Sequence, residues 1–395
     1  MKSLKLSLAT AIAFGSFSCI DATPLDEAIN NVDFSGYLRY RFDTKNAEKN
    51  KIKENGQTHS YKARLGISAN ISDNFKAHAV MEYEAKDGSY GKDAKLNDNK
   101  TFIIKDAFLS YEISDFQVAL GRMEIDTIWT DDLLGNGLKL TNNSLDKVTL
   151  QAYFYDNYNK DGDLGLIKLK NGEPTSKNLY GAMIGVDYEP VNAKIYASSL
   201  ASWGTFYAAD IVFSGGDDFK YHMQAQYAGN SLKNDRKDKL KLNGKEATNG
   251  NFYGVEAGIK AFGANISLGY VGFGKKDKWT LNSIEDHGKL LKVGGYAMNG
   301  SKSYQGSIGK KDFIYGVLGY KYDAFKANVE IVSGTNKLTN GKEKLFEVRP
   351  QLSYKYSKKL VFKTRYTYGE TKDVGGVDGV KNTEKKVRFE AKYNF

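Results

Sequence analysis

Apolar and polar residues alternate with a period of two along most of this chain. In VDFSGYLRYRF (32–42), Val32, Phe34, Leu38, Tyr40 and Phe42 share one face, while Asp33, Ser35, Arg39 and Arg41 share the other. In YKARLGISANI (61–71), Ala63, Leu65, Ile67, Ala69 and Ile71 oppose Lys62, Arg64, Ser68 and Asn70. Successive side chains of a strand point to opposite faces, so each such stretch predicts a strand with one apolar and one polar surface. FKAHAVMEYEA (75–85), FKYHMQAQYA (219–228), FKANVEI (325–331) and the closing KVRFEAKYNF (386–395) repeat the pattern. Further strands are expected near 101–113, 116–124, 147–156, 179–188, 193–200, 205–213, 252–262, 264–273, 312–321, 345–356 and 360–368, with a short one near 137–141. The total is about 18, and because a bacterial antiparallel barrel closes on an even number, about 16 is the alternative.

Connections alternate too. Short links fall at 72–74, 114–115, 215–218, 322–324 and 357–359, and long polar stretches at 43–57, 86–100, 157–178, 229–250, 274–310 and 369–383. Short turns on one rim and long loops on the other describe an outer-membrane barrel. Two segments fit less well. DFIYGVLGY (312–320) is apolar on both faces, and Pro350 predicts a bulge or break in its strand because it lacks a backbone N–H.

Alternation alone suits a soluble sandwich equally, since there the polar face meets water and the apolar face a core. The N-terminus favours a barrel. Lys2 and Lys5 precede LSLATAIAFGSFS (6–18), and polarity rises at CIDATPLDEA, the three-part form of a secretory leader with cleavage placed after Ala22. Cys19 offers a competing reading as a lipidated cysteine, although Ser16, Phe17 and Ser18 are a poor lipobox. Cleavage at Ala22 leaves no cysteine, hence no disulfide. The domains expected are a leader over 1–22 and one β-barrel over 23–395. Composition agrees: 27 Tyr, 21 Phe and 40 Gly against 4 Pro suit many strands with tight turns. Mean hydropathy is −0.52, and past the N-terminus no apolar run reaches the length of a helical span. Net charge is +10, and removing Lys2, Lys5 and Asp21 with the leader lowers it by one to +9. In an exported chain with cations spread along alternating strands, this balance does not point to nucleic acid.

TPLDEAINNVDFSGYLRYRFDT (23–44), DTIWTDDLLGNGLKLTNNSLD (126–146), IED followed by a glycine (284–288) and the closing aromatic strand together resemble the major outer membrane protein porins of Campylobacter and its relatives. The resemblance implies a trimeric 18-stranded general porin whose third loop folds into the lumen and whose channel holds calcium. It implies an outer-membrane location, lipid, lipopolysaccharide and the barrel assembly machinery as partners, and passive diffusion of small hydrophilic solutes. Phe395 then reads as the terminal assembly signal.

In such a porin the loop after strand five is the constriction. Here that loop carries Asp126, Asp131 and Asp132, and the polar faces of the first strands carry Arg39, Arg41, Lys62 and Arg64. Acids facing cations across a narrow pore would set a transverse field that orients water and polar solutes. By resemblance, Asp131, Asp132, Glu285 and Asp286 are the candidate calcium ligands, hard oxygens converging from separate segments. The 126–146 stretch looks shorter than the family's usual loop.

Other motifs carry little. NYNKDGDLG (157–165) hints at an EF-hand loop, but Lys168 stands where a bidentate Glu is required. GYAMNGSKS (295–303) has Ser301 in place of the phosphate-loop lysine. His78 and His222 sit on polar strand faces with no matching serine expected, so no enzyme is predicted. The alternative to a porin is a barrel-anchored adhesin whose long loops bind host or neighbouring-cell partners.

Overall fold

The computed structural model describes residues 32–90, 101–130, 133–158, 178–201, 203–234, 237, 241–242, 245–280 and 307–395. The leader reading for 1–22 lies outside them. The strands are β1 (Val32–Lys49), β2 (Ile52–Asn70), β3 (Phe75–Tyr90), β4 (Thr101–Ile113), β5 (Phe116–Glu124), β6 (Leu134–Leu145), β7 (Val148–Tyr158), β8 (Leu179–Tyr188), β9 (Val191–Leu200), β10 (Gly204–Gly215), β11 (Lys220–Leu232), β12 (Lys241–Leu242), β13 (Lys245–Thr248), β14 (Asn251–Ala261), β15 (Ala264–Thr280), β16 (Ser307–Tyr322), β17 (Phe325–Leu338), β18 (Gly341–Lys355), β19 (Leu360–Lys372) and β20 (Lys381–Asn394).

β1–β11 and β14–β20 pair antiparallel in chain order, and β20 returns to β1 from Tyr37↔Asn394 to Lys49↔Asn382. The result is a closed 18-strand barrel. Closure leaves no unpaired edge, which lipid would not tolerate. β12 and β13 form a small hairpin on the long-loop rim, where β13 adds parallel to β15 through Ala247↔Trp279 and Thr248↔Thr280.

The apolar faces point outward. Leu38, Leu120, Ile195, Met223, Leu268 and Ile314 are each at least half exposed on the outer wall. Aromatic pairs mark both edges of this belt: Phe75–Tyr111 and Phe325–Tyr354, each 4.7 Å between centroids, near the short turns, and Tyr207–Tyr227 and Tyr253–Tyr270 nearer the other rim. Paired girdles of this kind sit at the two water interfaces of a membrane barrel.

Several expected boundaries move outward. The 43–57 stretch is not a long loop: β1 and β2 stay paired to Lys49↔Ile52 and turn at Asn50 and Lys51, whose φ angles are 49° and 67°. The 369–383 stretch likewise shrinks to 373–380, β3 runs on to Tyr90, and the short strand near 137–141 is really Leu134–Leu145. Beyond the lipid belt both faces of a strand are wet, so the ladder continues after the apolar alternation has ended. Pro350 does not break β18. It lies opposite Val329 of β17, and only the pairing to β19 lapses at Arg349 and Pro350. The two-faced apolarity of 312–320 also has a cause: Ile314, Leu318 and Tyr320 face outward, while Phe313 and Tyr315 are buried inside the barrel at 1% and 4% exposure.

Candidate functional site in the barrel lumen

The inner wall around the β1–β20 seam is a lattice of charges. Arg39 and Arg41 alternate with outward Leu38 and Tyr40, and Lys62 and Arg64 with Tyr61 and Ala63, so all four cations face the lumen. The register places carboxylates beside them. Arg41 Nε donates to Glu390 Oε2, and Lys363 Nζ lies 3.8 Å from the other oxygen of that carboxylate. Arg388 donates to both Asp43 oxygens at 2.6 and 3.0 Å, a fork geometry that fixes orientation. Lys62 Nζ is 2.8 Å from Glu82 and 3.4 Å from Glu84. Arg64 stands 3.8 Å from Asp106 and 3.9 Å from Glu124, and Arg349 donates to Glu330.

A bulge completes this wall. The β3–β4 register shifts between Val80 and Met81, and the extra residue turns both Lys105 and Asp106 inward, where they are 4% and 8% exposed. Lys105 Nζ then lies 3.9 Å from Glu82, and Asp106 accepts the Glu124 N–H at 3.0 Å.

The opposite wall is of another kind. Toward the long-loop rim, the inner faces from β7 to β17 carry Tyr155, Leu179, Leu200, Phe206, Phe252, Val271, Phe273, Phe313 and Val332, each at most 2% exposed. The described residues of the loop after β5, 125–130 and 133, pack onto this surface. Ile125, Ile128, Trp129 and Leu133 are 0–2% exposed, and the Trp129 ring sits 6.1 Å from both Tyr196 and Phe206. Ile125 Cδ1 lies so close to Gly135 that a Cβ there would be 2.7 Å away, which is why the strand entering β6 carries glycine. Inside the loop, Thr130 Oγ1 donates to the Ile125 carbonyl and also accepts the Thr127 N–H at 3.1 Å, so these buried polar groups are paired. The described residues of the third loop are therefore folded inward and held by an apolar core.

The structure brings Arg39, Arg41, Lys62 and Arg64 to one wall and joins the last three to carboxylates on strands. Asp126 is half exposed and reaches Lys139 Nζ of β6 at 3.7 Å. Asp131 and Asp132 lie outside the described residues, as do Glu285 and Asp286. Among the described residues no three His, Cys, Asp or Glu side chains converge as a metal would need. His78 does have serine neighbours that alternation could not reveal: its ring nitrogens lie 3.2 Å from Ser68 Oγ and 2.9 Å from Ser110 Oγ. Both nitrogens meet hydroxyls, so no carboxylate orients this ring as a hydrolytic triad requires. His222 bonds Glu256 at 2.9 Å. The partners of the arginines and the inward apolar wall escaped sequence reasoning. The only signal was the double-sided apolarity of 312–320.

A family model described as Campylobacter major outer membrane protein matches residues 1–395, the whole chain. No curated protein sequence matches it. Among solved structures, OccAB3 of Acinetobacter baumannii superposes with a TM-score of 0.68 at 10% identity, covering 92% of this chain and 100% of that one. OpdQ of Pseudomonas aeruginosa gives 0.68 at 12% identity over 92% and 99% of the two chains. OccK8 (OprE) of Pseudomonas aeruginosa gives 0.66 at 11% identity over 92% and 98%. At these identities the likeness is one of fold.

Proposed function

From the premise that the chain belongs to the Campylobacter major outer membrane protein family, we propose that it is a porin, a passive diffusion channel for ions and small hydrophilic solutes. It resides in the outer membrane. The observation that carries the reading is the two-sided lumen: a charged seam wall faces a loop that an apolar core holds inside the barrel. Such a pore needs no chemistry. Solutes move down a gradient past fixed charges whose field is strengthened by the low-dielectric wall opposite. A homotrimer and calcium held by Asp131, Asp132, Glu285 and Asp286 belong to the same reading and are supported by family membership alone.

The test is a planar bilayer recording in potassium chloride. Discrete ohmic steps are expected, in groups of three equal levels for a trimer. A bilayer that stays silent with correctly folded protein would overturn the porin reading and leave the barrel as an anchor for surface loops.

A further inference from the structure

A cavity of about 490 Å³ opens on the seam wall between β1, β2, β3, β18, β19 and β20. Eight Lys or Arg side chains line it, against two carboxylates, Asp43 and Glu84. Six of the eight have acidic partners within 4 Å: Arg41 has Glu390, Arg388 has Asp43, Arg349 has Glu330, Lys86 has Glu84, Lys45 has Glu54 and Glu384, and Lys386 has Glu384. Arg39 and Arg365 are left over. Neither makes a hydrogen bond or ion pair among the described residues, although both are partly buried in the wall.

Their surroundings raise the electrostatic cost of leaving them so. Arg365 stands directly opposite Arg388 in the β19–β20 register, and like charges directly opposite each other in a sheet repel. Arg388 is committed to Asp43, so Arg365 has no share of that carboxylate within bonding distance. Thr58, Ser60 and Thr367 line the same cavity, and their hydroxyls can donate. A planar guanidinium offers two parallel N–H donors that match a carboxylate or phosphate.

We propose that this cavity is a binding site for small oxyanions, with Arg39 and Arg365 as the groups that hold the carboxylate or phosphate of a passing solute. The proposal rests on the porin reading and adds the solute class to it. An anion entering here neutralises two like-charged groups without breaking any of the existing ion pairs. It would stay briefly in the pore and obstruct the flow of chloride and potassium while bound.

The experiment records wild-type protein and the Arg39→Gln/Arg365→Gln variant in planar bilayers at fixed potassium chloride, while succinate or inorganic phosphate is added. Wild type is expected to show a saturable fall in current. In the variant the half-blocking concentration should rise by about tenfold or more, the loss of roughly one charged hydrogen bond. Reversal potentials in a salt gradient should also shift toward cation preference. Block by both probes, or by one alone, supports the site and tells phosphate from carboxylate recognition. Potassium chloride current that neither probe affects, or equal block in both proteins, overturns the proposal while leaving the porin reading intact; no current at all in wild type fails the porin reading itself. The variant is checked as a folded barrel by heat-modifiable migration on SDS gels. If it does not fold, Arg39→Lys and Arg365→Lys serve instead, keeping charge but losing the fork, and block must weaken in them.

Discussion

Gly36 and Phe395 exchange both backbone hydrogen bonds, each 3.1 Å, and so join the first strand to the last residue. The Phe395 ring lies over Gly36, where an added Cβ would stand 2.8 Å from its Cζ and 2.2 Å from the Arg64 carbonyl oxygen. The glycine is thus required by two neighbours at once.

Deleting Phe395, or replacing Gly36 with valine, should slow insertion of the barrel before it alters a channel that has already formed. The yield of heat-modifiable barrel in refolding into lipid measures the first effect, and single-channel conductance of the surviving fraction measures the second. A normal yield with altered conductance would contradict the seam role.

Trp129→Ala should loosen the inward loop. Truncating a buried Trp costs about 3–5 kcal/mol in a packed core, and here that core holds the loop against Tyr196 and Phe206. Larger and noisier single-channel currents are expected from an otherwise folded barrel. Unchanged current amplitude and noise would mean that the loop is held elsewhere.

Neutralising Asp126, Asp131 and Asp132 together to asparagine should move the reversal potential toward anion preference, because the seam wall keeps its cations. Unchanged reversal potentials would count against these acids as part of the constriction.

If calcium bridges Asp131, Asp132, Glu285 and Asp286, chelation with EDTA should lower the temperature at which the barrel loses its heat-modifiable form, and added calcium should restore it. No shift on chelation would sink the calcium reading.

The Asp373 carboxyl is held below the usual carboxylate range, first by Lys344 Nζ at 3.0 Å and then by the Gly379 N–H. A depressed folded pKa contributes order that is fully present above the unfolded value and is lost as pH falls through the folded one. The turn at 373–380 should therefore resist pepsin at about pH 4 and become cleavable only at more acid pH. Asp373→Asn should be cut already at the milder pH. Equal cleavage of both proteins across the range would remove the carboxylate from the account.

Much of the fold was legible because a barrel strand shows two different solvents to its two faces. Alternation located β4, β5 and β8 at their observed bounds, and the closing KVRFEAKYNF was readable as the partner of the first strand. Where both faces meet the same surroundings the signal fails. At 43–57 both are wet, and the strands run on unseen; at 312–320 both are apolar, and the inner one packs a core that sequence could not distinguish from lipid.

The sequence by itself determined that Arg39 and Arg41, and likewise Lys62 and Arg64, lie on the polar face of their strand, since parity along a strand is a local property. Only the tertiary structure decided which of them are neutralised. Register brings Glu390 to Arg41, Glu82 to Lys62 and Asp43 to Arg388 from positions as far as 349 residues away in the chain, and leaves Arg39 and Arg365 without partners among the described residues. Pairing of charges depends on closure and stagger of the whole barrel, which no single strand encodes.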